Sequence, residues 1–230
     1  MKRYILAALV LLLLLSGCAT GEPPSGISVR AASEYTDLGS FSAGAPEPGD
    51  AEDAEMLVRE VLGLYPDGFS DQWGEVEILL VAELTGEEAF AHGSYAGFTL
   101  RQGDGWLMVL DVRACDAGTI HHEIAHILDG ILTDAGALSE TEWMAFCPGG
   151  FAYGEGDFER YPDFFADAYA MENIREDRAR TFEEALRQGP GAYADRPALW
   201  LKLEYFSRAI RDHFDTTGWP EKTIWELALG

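Results

Sequence analysis

Five consecutive residues carry the strongest chemical signal in the chain: His122-Glu123-Ile124-Ala125-His126. Two imidazoles four positions apart on a helix lie one turn apart on the same face, about 40° from each other. Glu123 lies about 100° from His122, beside that face rather than on it. Ile120, Ile124, Ile127 and Ile131 fall on the opposite side, at about 140–200°. The pattern predicts a helix buried along its isoleucines that presents its histidines into a cleft. Two neutral imidazoles and one carboxylate hold Zn²⁺ and leave a position open for water. A carboxylate beside the ligand face can take a proton from that water and later pass it to a leaving amine. His122 and His126 are therefore the expected metal ligands, Glu123 the expected general base, and Zn²⁺ the expected cofactor. His121 points about 100° away from His122 and reads as a surface or hydrogen-bonded histidine. His92 and His213 stand alone in sequence.

A third ligand has to come from elsewhere. The extended pattern that places a glycine and a third histidine just after the second is absent, because Asp129 and Leu132 stand there. Downstream lies Tyr161-Pro-Asp-Phe-Phe-Ala-Asp-Ala-Tyr169. Pro162 suits the first turn of a helix running to about Asn173. On it Asp163 and Asp167 share a face, so one could bind zinc while the other orients a ligand imidazole. By spacing alone, a solvated acidic face is an equal reading.

These residues need a scaffold. A helix is predicted over Ala51–Tyr65, stopped by Pro66. Strands follow at Glu75–Glu83, Gly97–Arg101 and Gly105–Val112, the last a candidate edge strand. Thr119 caps the helix that runs to about Ile131. Shorter helices are expected over Glu140–Phe146, Arg178–Arg187 and Asp195–Phe214, with a loop at Cys147–Asp157. The order is helix, small sheet, then helices, an α+β arrangement. Trp106, Trp143 and Trp200 read as core. No nucleophilic serine or cysteine arrangement emerges, and the glycine pairs form no phosphate-binding fingerprint.

The N-terminus has its own logic. Lys2 and Arg3 precede an apolar run, Tyr4–Leu15, too short to span a membrane as a stable helix, and the run ends in Leu15-Ser16-Gly17-Cys18. This ending resembles the lipobox of bacterial lipoproteins, which implies that residues 1–17 are a lipoprotein signal peptide and that Cys18 is acylated. Residues 18–50, rich in Gly, Pro, Ser and acids, read as a flexible tether. The expected location is extracytoplasmic, anchored to a bacterial membrane by lipid alone. The net charge of −24 excludes nucleic acid and anionic lipid surfaces as partners. With Cys18 assigned to lipid, Cys115 and Cys147 remain. Outside the cytoplasm such a pair is more often bridged than left as two buried thiols. A bridge would close a loop around the HEIAH segment and add about 2–4 kcal/mol.

HEIAH, then Gly150-Phe-Ala-Tyr153, then Asp163-Phe-Phe-Ala-Asp-Ala-Tyr169 resembles the catalytic domain of anthrax lethal factor and related zinc-binding lipoprotein peptidases. The resemblance implies a zincin-like, gluzincin-type domain over residues 51–230, with a small mixed sheet above the HEIAH helix and C-terminal helices below. It implies Asp163 as the third zinc ligand, Asp167 behind it, and Tyr153 as the oxyanion-stabilising tyrosine, with Tyr161 a rival. Both acids are Asp where that family has Glu. The expected activity is zinc-dependent hydrolysis of a peptide or protein substrate by a monomer at the cell surface or envelope. The alternative is a non-enzymatic, zinc-containing surface lipoprotein that acts by binding.

Overall fold

A computed structural model of the chain describes residues 26–86, 95–155 and 157–230. Cys18 and His92 lie outside them. The sheet is built from β1 (Ile27–Ala31), β2 (Thr36–Asp37), β3 (Phe41–Gly44), β4 (Val76–Gly86), β5 (Gly97–Gln102) and β6 (Gly105–Asp111). The helices are α1 (Pro48–Leu62), α2 (Ala117–Asp134), α3 (Glu140–Met144), α4 (Ile174–Gln188), α5 (Pro197–His213) and α6 (Ile224–Leu227). The expected α+β order holds. The segment read as a tether differs: Ile27–Gly44 supplies three strands, so the folded part begins well before residue 51.

The long strand β4 organises the sheet. Its first half pairs with β1, parallel, and its second half with β3, antiparallel. Its other side pairs in parallel with β6, and β5 closes the sheet as an antiparallel edge next to β6. The edge is therefore β5 and not the strand expected at Gly105–Val112. All seven residues of β6 are buried, and an unbroken apolar run is the mark of a strand covered on both faces. Trp106, Met108 and Leu110 point into the core shared with α2, while Leu107 and Val109 point to the opposite face.

Helix α2 lies between the sheet and the C-terminal helices, against β5 on one side and α4 on the other. Asp116 starts it: its carboxylate accepts from Thr119 N at 2.9 Å, and Thr119 Oγ1 accepts from Asp116 N at 3.3 Å. This reciprocal cap is worth about 1 kcal/mol. Ile120, Ile124, Ile127, Leu128 and Leu132 are fully buried. Each contributes on the order of 1.5–3 kcal/mol through burial. Ile131 is only half-buried; Leu128 and Leu132 take the place expected of it.

The helix expected from Pro162 to Asn173 does not form. That stretch is a set of turns ending in a 3₁₀ turn at Tyr169–Met171. Its carbonyls are taken by distant side chains. Arg196 donates to Pro162 O and Phe165 O, and Lys202 Nζ donates to Phe164 O at 2.7 Å. Asp167 Oδ1 accepts from Ala170 N at 3.0 Å, a local bond that competes with helix formation. Phe165 is buried with Phe151, Ala170 and Met171 in a small cluster of its own.

Candidate metal centre

His122 and His126 project from α2 as their spacing requires, and α4 supplies what faces them. The group that converges is His122, His126 and Glu176. Their Nε2 atoms lie 3.0 Å apart, and Glu176 Oε2 lies 3.1 Å from His122 Nε2 and 3.5 Å from His126 Nε2. Although buried, that oxygen makes no hydrogen bond of acceptable geometry. The three atoms lie close enough to share one ion, and the two Nε2 atoms are also within hydrogen-bond distance of each other. A tetrahedral zinc with bonds of about 2.0–2.1 Å spaces its ligand atoms about 3.3–3.4 Å apart, close to the separations seen here. Two imidazoles and one carboxylate are also a donor set that zinc takes in hydrolytic sites. The residues fit the ion.

The tautomer fits as well. His122 Nδ1 hydrogen-bonds to Glu183 Oε2 at 3.1 Å. A carboxylate can only accept, so the proton sits on Nδ1 and the Nε2 lone pair faces the centre. Glu183 is itself held by Arg180 and by Arg187, the latter at 2.8 Å. Helices α2 and α4 are tied along their length by Asp116–Arg187 at 2.7 Å, His122–Glu183, and the buried pair Asp129–Arg178.

Burial disfavours the His122 imidazolium, but Glu176, Glu183 and Glu123 outweigh it and push its pKa up to about 10. Burial also opposes ionisation of Glu176, yet the His122 and His126 imidazoles beside it hold it well below the usual carboxylate range. At neutral pH His122 is therefore charged, facing the Glu176 and Glu183 carboxylates. Glu123 sits beside the histidines, almost wholly buried, and its Oε2 has no hydrogen-bond partner among the described residues. Burial holds its carboxyl above the ordinary range, against the pull of His122 and His126. A buried carboxylate raised in this way is a stronger proton acceptor than a free one.

No family model, curated protein or solved structure matches the chain. The site is read from its own geometry, which differs from the expectation at several points. Asp163 is exposed and stands outside the converging group. Asp167 pairs with Arg180, with Nε donating at 2.8 Å, and so reaches His122 only through Arg180 and Glu183. Tyr153 is turned into the interior, where its hydroxyl donates to Asp177 Oδ2 at 2.7 Å. Tyr161 packs against Phe151. The tyrosine beside the centre is Tyr169, whose ring centroid lies 6.2 Å from that of His122. Burial and the charge of Glu176 raise its pKa. Cys115 and Cys147 are both free. Cys115 packs against the main core below α2, and Cys147 belongs to the separate aromatic cluster, 3.8 Å from the Tyr153 hydroxyl. His121 is buried against Tyr65, whose hydroxyl lies 2.8 Å from its Nδ1.

The centre lies at the floor of a cleft of about 1100 Å³. One wall is β5, whose outer edge pairs with no other strand among the described residues; the other is the start of α4 with Tyr169. Asn173 caps α4 by accepting from Arg175 N and Glu176 N at 3.0 and 3.1 Å, which fixes the turn that carries Glu176. The next residue, Asp177, anchors that turn from behind. It is paired with Lys202, both fully buried, at 2.7 Å, and accepts from Trp143 Nε1 at 2.8 Å.

Proposed function

We propose that the chain is a zinc-dependent peptidase that hydrolyses an extended peptide lying along β5. Support comes chiefly from one observation: three donors converge, at zinc-like separations, beside the buried Glu123 carboxylate, whose Oε2 has no hydrogen-bond partner among the described residues. When bound, zinc supplies Lewis acidity to a carbonyl and lowers the pKa of water toward ~7. The chain's own groups do the rest. The outer edge of β5 offers backbone donors and acceptors to a strand-like substrate. Glu183, braced by two arginines, keeps the lone pair of His122 on the metal side. Glu123 accepts a proton from the attacking water and delivers it to the departing amine. Tyr169 takes the role first expected of Tyr153, offering its hydroxyl to the oxygen that gains charge. Acylation at Cys18 would hold this activity outside the cytoplasm.

The non-enzymatic alternative drew its force from aspartate standing where glutamate was expected. Glu176 in the third position removes that motive. The test is Glu123→Gln. Zinc content should stay at one per chain while turnover of a peptide library is lost; undiminished turnover would discard the reading.

A further inference from the structure

One oxygen of the Glu123 carboxylate, Oε2, has no hydrogen-bond partner among the described residues, and one of its walls is a missing side chain. Along β5, Gly97, Thr99 and Arg101 pair with Leu110, Met108 and Trp106, whose side chains enter the core shared with α2. These three β5 positions therefore face α2. A Cβ at Gly97 would lie 2.9 Å from Val109 O, 3.0 Å from Leu110 Cδ2 and 3.3 Å from Glu123 Oε1. Val109 and Leu110 are fully buried in the central strand and cannot withdraw without parting β5 from β6. An added Cβ therefore shifts β5 on β6, and the Glu123 carboxylate, the longest of the three contacts, gives by a few tenths of an ångström. Two residues on, Thr99 Oγ1 donates to the main-chain oxygen of Glu123 at 3.4 Å.

We propose that Gly97 is a positioning residue for the base: its absent side chain leaves the slot that the Glu123 carboxylate fills, and Thr99 pins the helix turn behind it. The edge strand then has two duties. Its outer edge faces substrate, and its inner face sets where the proton acceptor stands. The inference rests on the peptidase reading for its consequence in turnover, but the packing relation stands apart from it.

A double-mutant cycle separates positioning from a merely structural role. Gly97→Ala should lower kcat roughly tenfold, because the carboxylate gives by a few tenths of an ångström where about 1 Å costs about 10²-fold, with zinc content little changed. In a Glu123→Asp background, whose carboxylate is one methylene shorter, the same change should cost only about threefold or less, because the slot is already vacated. Equal factors in both backgrounds would overturn the proposal. Calorimetry with acetohydroxamate on the zinc-loaded protein gives a readout free of turnover, since this chelator hands a proton to a neighbouring carboxylate. Gly97→Ala should weaken its binding in the wild-type background and leave it unchanged in Glu123→Gln. If that coupling appears while the wild type cleaves no peptide, the peptidase reading fails and the positioning role survives. Should Gly97→Ala not fold, Thr99→Val carries the same cycle.

Discussion

Replacing Glu176 by glutamine is the sharpest test of which acid completes the centre. Structural zinc sites with four protein ligands release about 10–16 kcal/mol on binding, so one ligand accounts for about 2.5–4 kcal/mol. At 1.4 kcal/mol per decade, that is a loss of roughly 10²–10³ in affinity. Glutamine keeps a neutral oxygen, so the lower end applies. A second effect runs the other way. Glu176 helps to hold a proton on His122, whose pKa in the metal-free protein is about 10. Removing it lowers that pKa and relieves competition by protons, which offsets part of the loss at neutral pH. The ratio of wild-type to variant affinity should therefore widen as pH rises from 7 toward 10. Competition against a chromophoric chelator measures it directly. Asp163→Asn is the control, exposed and outside the group, and should change zinc affinity by less than about threefold. A large loss in Asp163→Asn, with Glu176→Gln left near wild type, would refute the assignment.

Three further outcomes follow from the same contacts. Glu183→Gln should weaken zinc binding about 10–100-fold, because it frees the tautomer of His122 without touching the ion; the chelator assay reads it. Zinc uptake at pH 7 should release close to one proton from His122, since a group with its folded pKa raised to about 10 is protonated there and must lose that proton to bind; calorimetry in buffers of different ionisation enthalpy counts it. Lys202→Met should destabilise the fold by about 3–5 kcal/mol, because it strands the Asp177 carboxylate without its buried cation; at about 2–4 °C per kcal/mol, Tm should fall by about 6–20 °C in a thermal scan.

What the sequence disclosed, and what it hid, follows the range of the forces involved. Helix α2 was legible because its apolar stripe and its two histidines one turn apart lie within eighteen residues, although its cap, expected at Thr119, is Asp116. The edge strand was misplaced although its signal was present. An unbroken apolar run such as Trp106–Leu110 belongs in the middle of a sheet, and the mixed Phe98-Thr-Leu-Arg101 belongs at its rim. Glu176 was missed because the helix was started at Arg178; a start at the Asn173 cap would have placed Glu176 and Glu183 two turns apart on one face.

The error at Asp163 is of another kind. Its i,i+4 partnership with Asp167 presumes a helix, and the local residues allow one. What prevents it is the capture of the carbonyls of Pro162, Phe164 and Phe165 by Arg196 and Lys202, which lie 31 to 38 positions away in sequence. Lys202 is fixed in turn by Asp177, the neighbour of Glu176. The contact that unwinds the segment carrying Asp163 is thus part of the one that seats Glu176. Choosing Glu176 over Asp163 as the third donor is therefore a single tertiary event, and no local spacing rule could have separated the two.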